Sequence, residues 1–208
     1  MYAIRCLTDM KKSQTTLKRT FDLILSISII LIIFPLIFIS WLISTVETRS
    51  NGFFLQKRIG RNGKIFSVIK IKTMRPIIKN ESRSSITSEN NQLITKSGRF
   101  FRKYKIDELP QLINVIIGDM SFVGPRPDVP GYADKLIGDD RIILKLKPGI
   151  TGPASIKYKN EEALLKEKSN PKEYNDLVIW PDKVNINKEY YLKYSFLKDI
   201  KYIMYTLK

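Results

Sequence analysis

The dominant pattern along the chain is an uncharged, mostly apolar run of 21 residues, LILSISIILIIFPLIFISWLI, from Leu23 to Ile43. As a straight helix it rises roughly 30 Å, the thickness of a bilayer's hydrocarbon core. No small-residue cleavage pattern follows in STVETRS, so the run predicts a retained membrane-embedded helix and not a signal peptide. Pro35, just past its middle, removes one backbone donor and crowds the carbonyl four residues earlier. Lys11, Lys12, Lys18 and Arg19 precede the run, and Arg49, Lys57, Arg58 and Arg61 follow it. With both flanks basic, charge asymmetry assigns no orientation. Two topologies therefore stay open: a kinked spanning helix, and a re-entrant one turned back at Pro35 with both ends cytoplasmic.

Beyond the run the periodicity changes. Two β-rich stretches, Phe53–Ile59 and Ile65–Ile71, flank Asn62-Gly63 and predict a hairpin. Alternation places Lys70 and Lys72 on one face of its second strand. Ile78–Gln92 is polar and turn-rich and reads as a loop. Leu93–Tyr104, LITKSGRFFRKY, predicts a short basic, aromatic helix suited to a membrane interface. Asp107–Ile117 predicts a helix, with Leu109, Leu112, Ile113 and Ile116 at helical spacing. Pro110 is tolerated only in its first turn, which puts Asp107 and Glu108 at the amino-terminal end.

GDMSFVGPRPDVPGY then reads as a proline-glycine loop, and Ala133–Leu146 as an interrupted helix. Lys147–Tyr158, KPGITGPASIKY, reads as a tight loop leading into a short strand. A charged helix at Glu161–Lys168 ends before a break at Asn170-Pro171. The terminal stretch KEYYLKYSFLKDIKYIMYTLK has helical spacing and fits either a surface helix resting on lipid or one packed on its own core. There is no internal repeat and no second domain boundary. The fold class expected is α/β, mostly α, a membrane-associated single domain: residues 1–50 form a basic segment and membrane helix, and 51–208 the rest of the domain.

Charge sharpens this picture. Lys and Arg number 36 against 20 Asp and Glu, a formal +16, which implies anionic partners such as nucleic acid, acidic lipid or phosphorylated ligands. Histidine is absent, so any acid, base or nucleophile must be a carboxylate, Lys, Tyr, Ser or Cys6. A single cysteine excludes internal disulfides and thiolate metal clusters.

Against that basic background Asp107 and Glu108 stand side by side. One reading is structural: acids at a helix start complement its dipole and its unpaired amides. The other is chemical. Arg102, Lys103 and Lys105 crowd the pair from upstream, and Arg126 follows on a rigid Gly-Pro-Arg-Pro loop. A helix start among cations attracts phosphate. A carboxylate in that positive field is expected to keep a low pKa, stay ionised, and either bind a divalent cation or attack phosphorus. Oxygen ligands without a His or Cys cluster favour magnesium, with manganese as the alternative.

The order FFLQKRIGRNGKIFSVIKIKTM, SGRFFRKYKIDELPQLINVIIGDMSFVGPRP and KPGITG resembles the bacterial sugar transferase family. It is similar to the small, single-domain form, the monotopic polyprenyl-phosphate phosphoglycosyl transferases, from about Leu17 to Lys208. The resemblance implies transfer of a sugar 1-phosphate from a UDP-sugar to undecaprenyl phosphate, on the cytoplasmic face of a bacterial inner membrane. UMP and undecaprenyl diphosphate sugar would be the products, and glycan assembly would start there.

By the same resemblance Asp107 is the nucleophile and Glu108 holds or orients the magnesium-bound diphosphate. Lys70, Arg102 and Arg126 face phosphate, and Gln111 with the Pro125–Pro127 turn shapes the pocket; Lys72, on the strand face of Lys70, is a further phosphate-binding candidate. The apolar helix breaks at Pro35 and re-enters, and amphipathic interfacial helices, meeting anionic lipid, surround the site. No nucleic-acid partner is implied, and nothing sets the oligomeric state.

Two departures stand out. Phe34 precedes Pro35 where a serine is common, and ASIKYKNEE follows KPGITG where a Gln-Val-Asn-Gly-Arg-like stretch is usual. Lys159 takes the arginine's place there without its planar fork. The rival reading is a non-catalytic, membrane-tethered basic module for nucleic acid or lipid. It accounts for the charge and the anchor but gives no reason for the acid pair beside the arginine loop.

Overall fold

The computed structural model describes residues 12–75 and 93–206; the polar stretch Ile78–Gln92 lies outside the described residues. Its longest element is a single helix, α1 (Lys12–Thr48), which begins eleven residues before the apolar run. The helix continues through Pro35, so the expected break is not a break in secondary structure. Proline deletes one rung of the ladder, and the flanking apolar residues keep the rest. Asp22, Ser26, Ile37, Ser40, Ser44 and Thr48 are buried along α1, whereas Leu31, Ile32 and Val46 are 70–78% exposed. Only 17% of its most apolar 18-residue window is buried. A soluble core helix hides its apolar side and exposes its polar one. This distribution is inverted, as lipid-facing helices require.

The predicted hairpin is present: β1 (Phe53–Ile59) pairs with β2 (Ile65–Ile71). Its turn is a 3-10 turn at Arg61–Gly63, with Asn62 and Gly63 both at positive φ, as an Asn-Gly turn demands. Backbone bonds from Lys72 to Gly52 and from Gly60 to Lys64 close it at its two ends. Then come α2 (Lys96–Lys103) and α3 (Gln111–Ile117). The helix expected from Asp107 starts at Gln111. A 3-10 turn at Ile106–Glu108 and the Leu109-Pro110 step precede it, because Pro110 has no amide to extend the ladder backwards.

Further along, β3 (Ser121–Val123) runs parallel to β4 (Gly149–Thr151), pairing Ser121 with Gly149 and Val123 with Thr151. The short strand expected after KPGITG is thus inside that motif, and the residues following it form the helix α4 (Pro153–Lys157). Proline at the first helical position, with no amide to lose, favours helix over strand there. The interrupted helix expected before this motif resolves into 3-10 turns at Ala133–Lys135 and Gly138–Lys145. Short helices α5 (Glu161–Lys166) and α6 (Pro171–Tyr174) follow, then a π-helical turn at Asn175–Ile179 leading into α7 (Trp180–Leu192). Lys193 caps α7, and α8 (Phe196–Thr206) ends the described chain, so the terminal stretch is two helices and not one.

Contacts divide the chain into two compact units, each drawn from separate segments. One comprises Met1–Ile24, Lys57–Phe66 and Ile117–Lys208; the other comprises Leu25–Gln56 and Ser67–Ile116. In the first, Lys18 Nζ and Tyr190 Oη both reach the buried Asp199 carboxylate, at 2.5 and 2.6 Å, and Asp22 accepts the Phe122 amide at 3.1 Å. Phe21 meets Phe196 edge-on at 5.2 Å. These contacts spend part of the terminal helix's amphipathic face on the protein's own core, while Leu197, Met204 and Tyr205 remain exposed.

In the second unit the key tie is Asn114, which is fully buried. Its Nδ2 donates to the Ser67 carbonyl at 2.8 Å and its Oδ1 accepts the Ile69 amide at 3.0 Å, holding α3 against the edge of β2. Asn114→Ala strands both backbone groups. It is expected to lower unfolding stability by about 2–4 kcal/mol, measured by denaturant titration of the detergent-solubilised protein.

Candidate active site

The acid pair is built by the way α2 hands over to α3. Thr95 caps α2, its hydroxyl accepting the Gly98 amide at 2.9 Å, and Ser97 bonds the Glu47 carboxylate. After α2, Lys105 adopts left-handed backbone (φ 57°, ψ 21°), which is costly for a side-chain-bearing residue. That reversal turns the chain directly into the Ile106–Glu108 turn and so places Asp107 and Glu108 ahead of α3. Gln111, the first residue of α3, is 4% exposed behind them.

Around the pair, Lys70 Nζ lies 3.3 Å from Glu108 Oε1, both side chains being largely buried. Arg102 Nε donates to Thr73 Oγ1 at 2.8 Å, which fixes the guanidinium on its strand-side neighbour. Asp107 Oδ1 is buried with no hydrogen-bond partner. The low carboxyl pKa expected from the basic surroundings is not found: the Asp107 pKa is raised. Burial is the largest cause and repulsion from Glu108 adds to it, outweighing the opposing pull of Lys70, Arg102 and Lys105. The electrostatic environment is therefore a desolvated acid held among cations, a combination typical of reactive sites.

Among the residues anticipated from sequence, Lys70, Arg102, Asp107, Glu108 and Gln111 all belong to this unit. So does Lys72, but it sits just beyond β2 and donates to Ser50 Oγ at 2.9 Å. Alternation along the strand put it beside Lys70; the strand ends one residue before it.

Pro125, Arg126, Pro127 and Lys159 belong to the other unit. There the Gly-Pro-Arg-Pro loop is fastened by its backbone, the Gly149 amide donating to the Pro125 carbonyl at 2.7 Å and the Ile59 amide to the Asp128 carbonyl at 2.9 Å. Arg126 is exposed, and Lys159 is exposed just past α4. The unusual stretch around Lys159 is tied down by its neighbours: Lys157 and Tyr158 both bond Asp182, at 2.6 and 2.7 Å, and Lys183 grips Glu161 at 2.7 Å.

The residue that sequence reasoning missed is Asp128, directly after the proline-arginine-proline turn. Burial pushes its pKa up to about 6, against the pull of Lys183, Arg58 and Arg126. The signal available was an acid adjoining the loop's arginine, the same juxtaposition that drew attention to Asp107. Thr73, which orients Arg102, carried no signal, because it becomes a neighbour only when the β2 end and α2 come together.

A divalent cation fits this site in a restricted way. Among the described residues no cluster of three or more His, Cys, Asp or Glu could cage an ion. Asp107 and Glu108 offer adjacent carboxylates, one with an unsatisfied oxygen. That suits magnesium, which commonly takes one or two carboxylates and completes its shell with substrate phosphate and water.

The family model for bacterial sugar transferases matches residues 13–208, and the chain belongs to that family. It is 38% identical over 167 residues to the undecaprenyl-phosphate galactose phosphotransferase of Salmonella typhimurium, covering 73% of this chain and 34% of that protein. It is 34% identical over 194 residues to the UDP-glucose:undecaprenyl-phosphate glucose-1-phosphate transferase of Escherichia coli K12, covering 92% and 39%. The uncharacterized sugar transferase EpsL of Bacillus subtilis is 33% identical over 192 residues, covering 92% and 86%. The chain thus spans little more than a third of the first two relatives and most of the third.

The Asp128 shift sets a pH dependence. The folded chain holds this proton more tightly than an unfolded chain does, so the contribution of Asp128 to stability falls as pH rises from 3.8 to about 6 and is level above. Asp128→Asn should therefore melt higher than the wild type at pH 7 and close to it at pH 4, as read by thermal unfolding in detergent.

Proposed function

We propose that this protein transfers a sugar 1-phosphate from a UDP-sugar to undecaprenyl phosphate, with Asp107 as a covalent nucleophile. The observation that carries the reading is the Asp107 oxygen, buried, unpartnered and set among Lys70, Arg102 and Lys105. A carboxylate oxygen already buried without a hydrogen-bond partner has little to give up before it attacks.

In the first step an Asp107 oxygen bonds to the sugar-bearing phosphorus, and the bond to the bridging oxygen breaks, its electron pair leaving on UMP. In the second step an oxygen of undecaprenyl phosphate bonds to that phosphorus, and the electron pair of the aspartyl–phosphorus bond returns to the carboxylate. Both nucleophiles and both leaving groups are anions, so neither step needs a proton moved. A chain without histidine can run such an exchange.

The work left for the protein is to hold negative charge. Lys70 fixes Glu108 in place, and the Arg102 guanidinium, oriented by Thr73, offers donors to the incoming diphosphate. A magnesium ion bound by Asp107, Glu108 and the diphosphate would neutralise charge on the leaving group. The phosphate-facing roles of Arg126, the Pro125–Pro127 turn and Lys159 are part of the same proposal and rest on the family resemblance.

The same reading places the protein on the cytoplasmic face of a bacterial inner membrane. α1 enters and leaves the bilayer through one leaflet, bending where Pro35 removes a ladder bond. Basic residues on both sides of the apolar run support this.

Two experiments test the proposal. With magnesium, undecaprenyl phosphate and a panel of UDP-sugars, the purified protein should release UMP from at least one donor. Asp107→Asn should lower turnover by about a thousand-fold or more; near wild-type turnover in that variant would mean a direct, single-step transfer. For topology, Val46→Cys in a Cys6→Ser background should resist an impermeant maleimide in intact cells and react after permeabilisation. Labelling in intact cells would establish a spanning helix.

A further inference from the structure

A second candidate site lies wholly within the unit that contains the carboxy-terminal helices. It is an open cavity of about 450 Å³ lined by Gly131, Tyr132, Lys135, Lys172, Asp176 and Trp180, with Leu136 at its base. None of these residues belongs to the acid-pair site, and the volume falls in the range that small-molecule ligands fill.

Its construction is specific. The Tyr132 and Trp180 rings meet edge to face at 5.3 Å, making an aromatic wall. The wall is held by polar contacts: the Tyr132 hydroxyl donates to Asp176 Oδ1 at 2.8 Å and accepts from Asn175 Nδ2 at 3.3 Å. Asn175 and Asp176 open the π-helical turn that runs to Ile179, immediately before Trp180. Such turns are rare and are frequently found at functional sites. Gly131 has φ +112° and nothing within 4 Å of where a Cβ would stand, so the rim is open there. Lys135 and Lys172 are exposed on the lining, and neither ammonium is engaged in a hydrogen bond or ion pair among the described residues.

An edge-to-face aromatic pair, two unengaged ammonium groups and one carboxylate select for a ligand with a planar ring and an anionic tail. Sugars alone lack the charge, and inorganic phosphate lacks the ring. We propose that this cavity binds a nucleoside phosphate, the base against Tyr132 and Trp180 and the phosphate between Lys135 and Lys172. The inference rests on the preceding reading for one point only, the choice of uridine as the base: the ligand is then the UDP-sugar donor or the UMP it yields.

The test uses the intrinsic fluorescence of Trp180. The chain has two tryptophans, so Trp41→Phe leaves Trp180 as sole reporter. Titration of this full-length variant in detergent with UMP and UDP should give saturable quenching, with uridine and inorganic phosphate binding about ten-fold or more weaker. Adding Lys135→Ala and Lys172→Ala should weaken UMP binding about ten-fold or more, as loss of charge-assisted contacts requires.

In the otherwise wild-type enzyme, the double lysine variant distinguishes the two ligand sources. A raised KM for the UDP-sugar with kcat nearly kept identifies the donor. An unchanged KM with weakened inhibition by UMP identifies the product. No Trp180 response to millimolar UMP, or a response indifferent to both lysines, would overturn the cavity assignment even if UMP release were normal. Intact quenching without UMP release from any UDP-sugar would instead sink the catalytic reading and leave the cavity standing.

Discussion

Burying a carboxylate oxygen with no hydrogen-bond partner costs on the order of a few kcal/mol, and the join of β2, the Ile106–Glu108 turn and α3 is organised around that cost at Asp107. The cost cannot relax locally. Lys105 is fixed in left-handed backbone, Pro110 offers no amide, and the turn between them is only three residues long. Nor can α3 drift away, because Asn114 replaces two rungs of sheet hydrogen bonding at the β2 edge. Lys70 on that same strand then meets Glu108. Strand, turn and helix are locked to one another through polar contacts, and Asp107 is left as the member whose oxygen has no protein partner. A fold that merely needed acids to cap a helix would have satisfied both.

Much of this framework was legible in the sequence because its signals are local. The apolar run is written in composition, the hairpin in Asn62-Gly63, and the break before α6 in Asn170-Pro171, where the asparagine does cap the helix. The acid pair was legible for a different reason: its contrast with the surrounding charge. Less legible was what needs distance or burial. Lys72, grouped with Lys70 by alternation, stands one residue past β2 and bonds Ser50. The Asp107 pKa was expected to be low from charge counting along the chain. Desolvation, which a sequence does not display, outweighs those cations. Asp128 and Thr73 went unnoticed because their partners are far away in the chain.

The absence of histidine looked at first like a restriction on chemistry. It becomes informative once the candidate reaction is an exchange between anions. An enzyme that moves protons at neutral pH needs a group poised near that pH. One that passes a phosphoryl group between a carboxylate and phosphates needs cations of constant charge and a route for negative charge to accumulate. A composition of 36 basic residues and no imidazole is compatible with the second requirement. The same excess serves a protein whose longest helix turns its apolar side outward, since acidic headgroups favour basic flanks.

Two motifs that stand 25 residues apart in the chain are one object in space. Gly124, just past β3, and Gly149, which opens β4, approach each other closely beside the parallel β3–β4 pair. A Cβ on Gly124 would lie 2.2 Å from the Lys147 carbonyl oxygen, and one on Gly149 the same distance from the Gly124 amide nitrogen. Neither position tolerates any side chain, so the glycines are explained by backbone approach and not by turn-making. The consequence falls on Arg126. Two prolines stiffen its loop from within, and the glycine contact clamps that loop to β4 from outside. The loop therefore holds an exposed guanidinium on a rigid backbone, whereas a flexible loop would have to order itself each time an anion arrived. What reads in sequence as a basic residue among helix breakers is, in the folded chain, a charge whose positioning cost was met during folding.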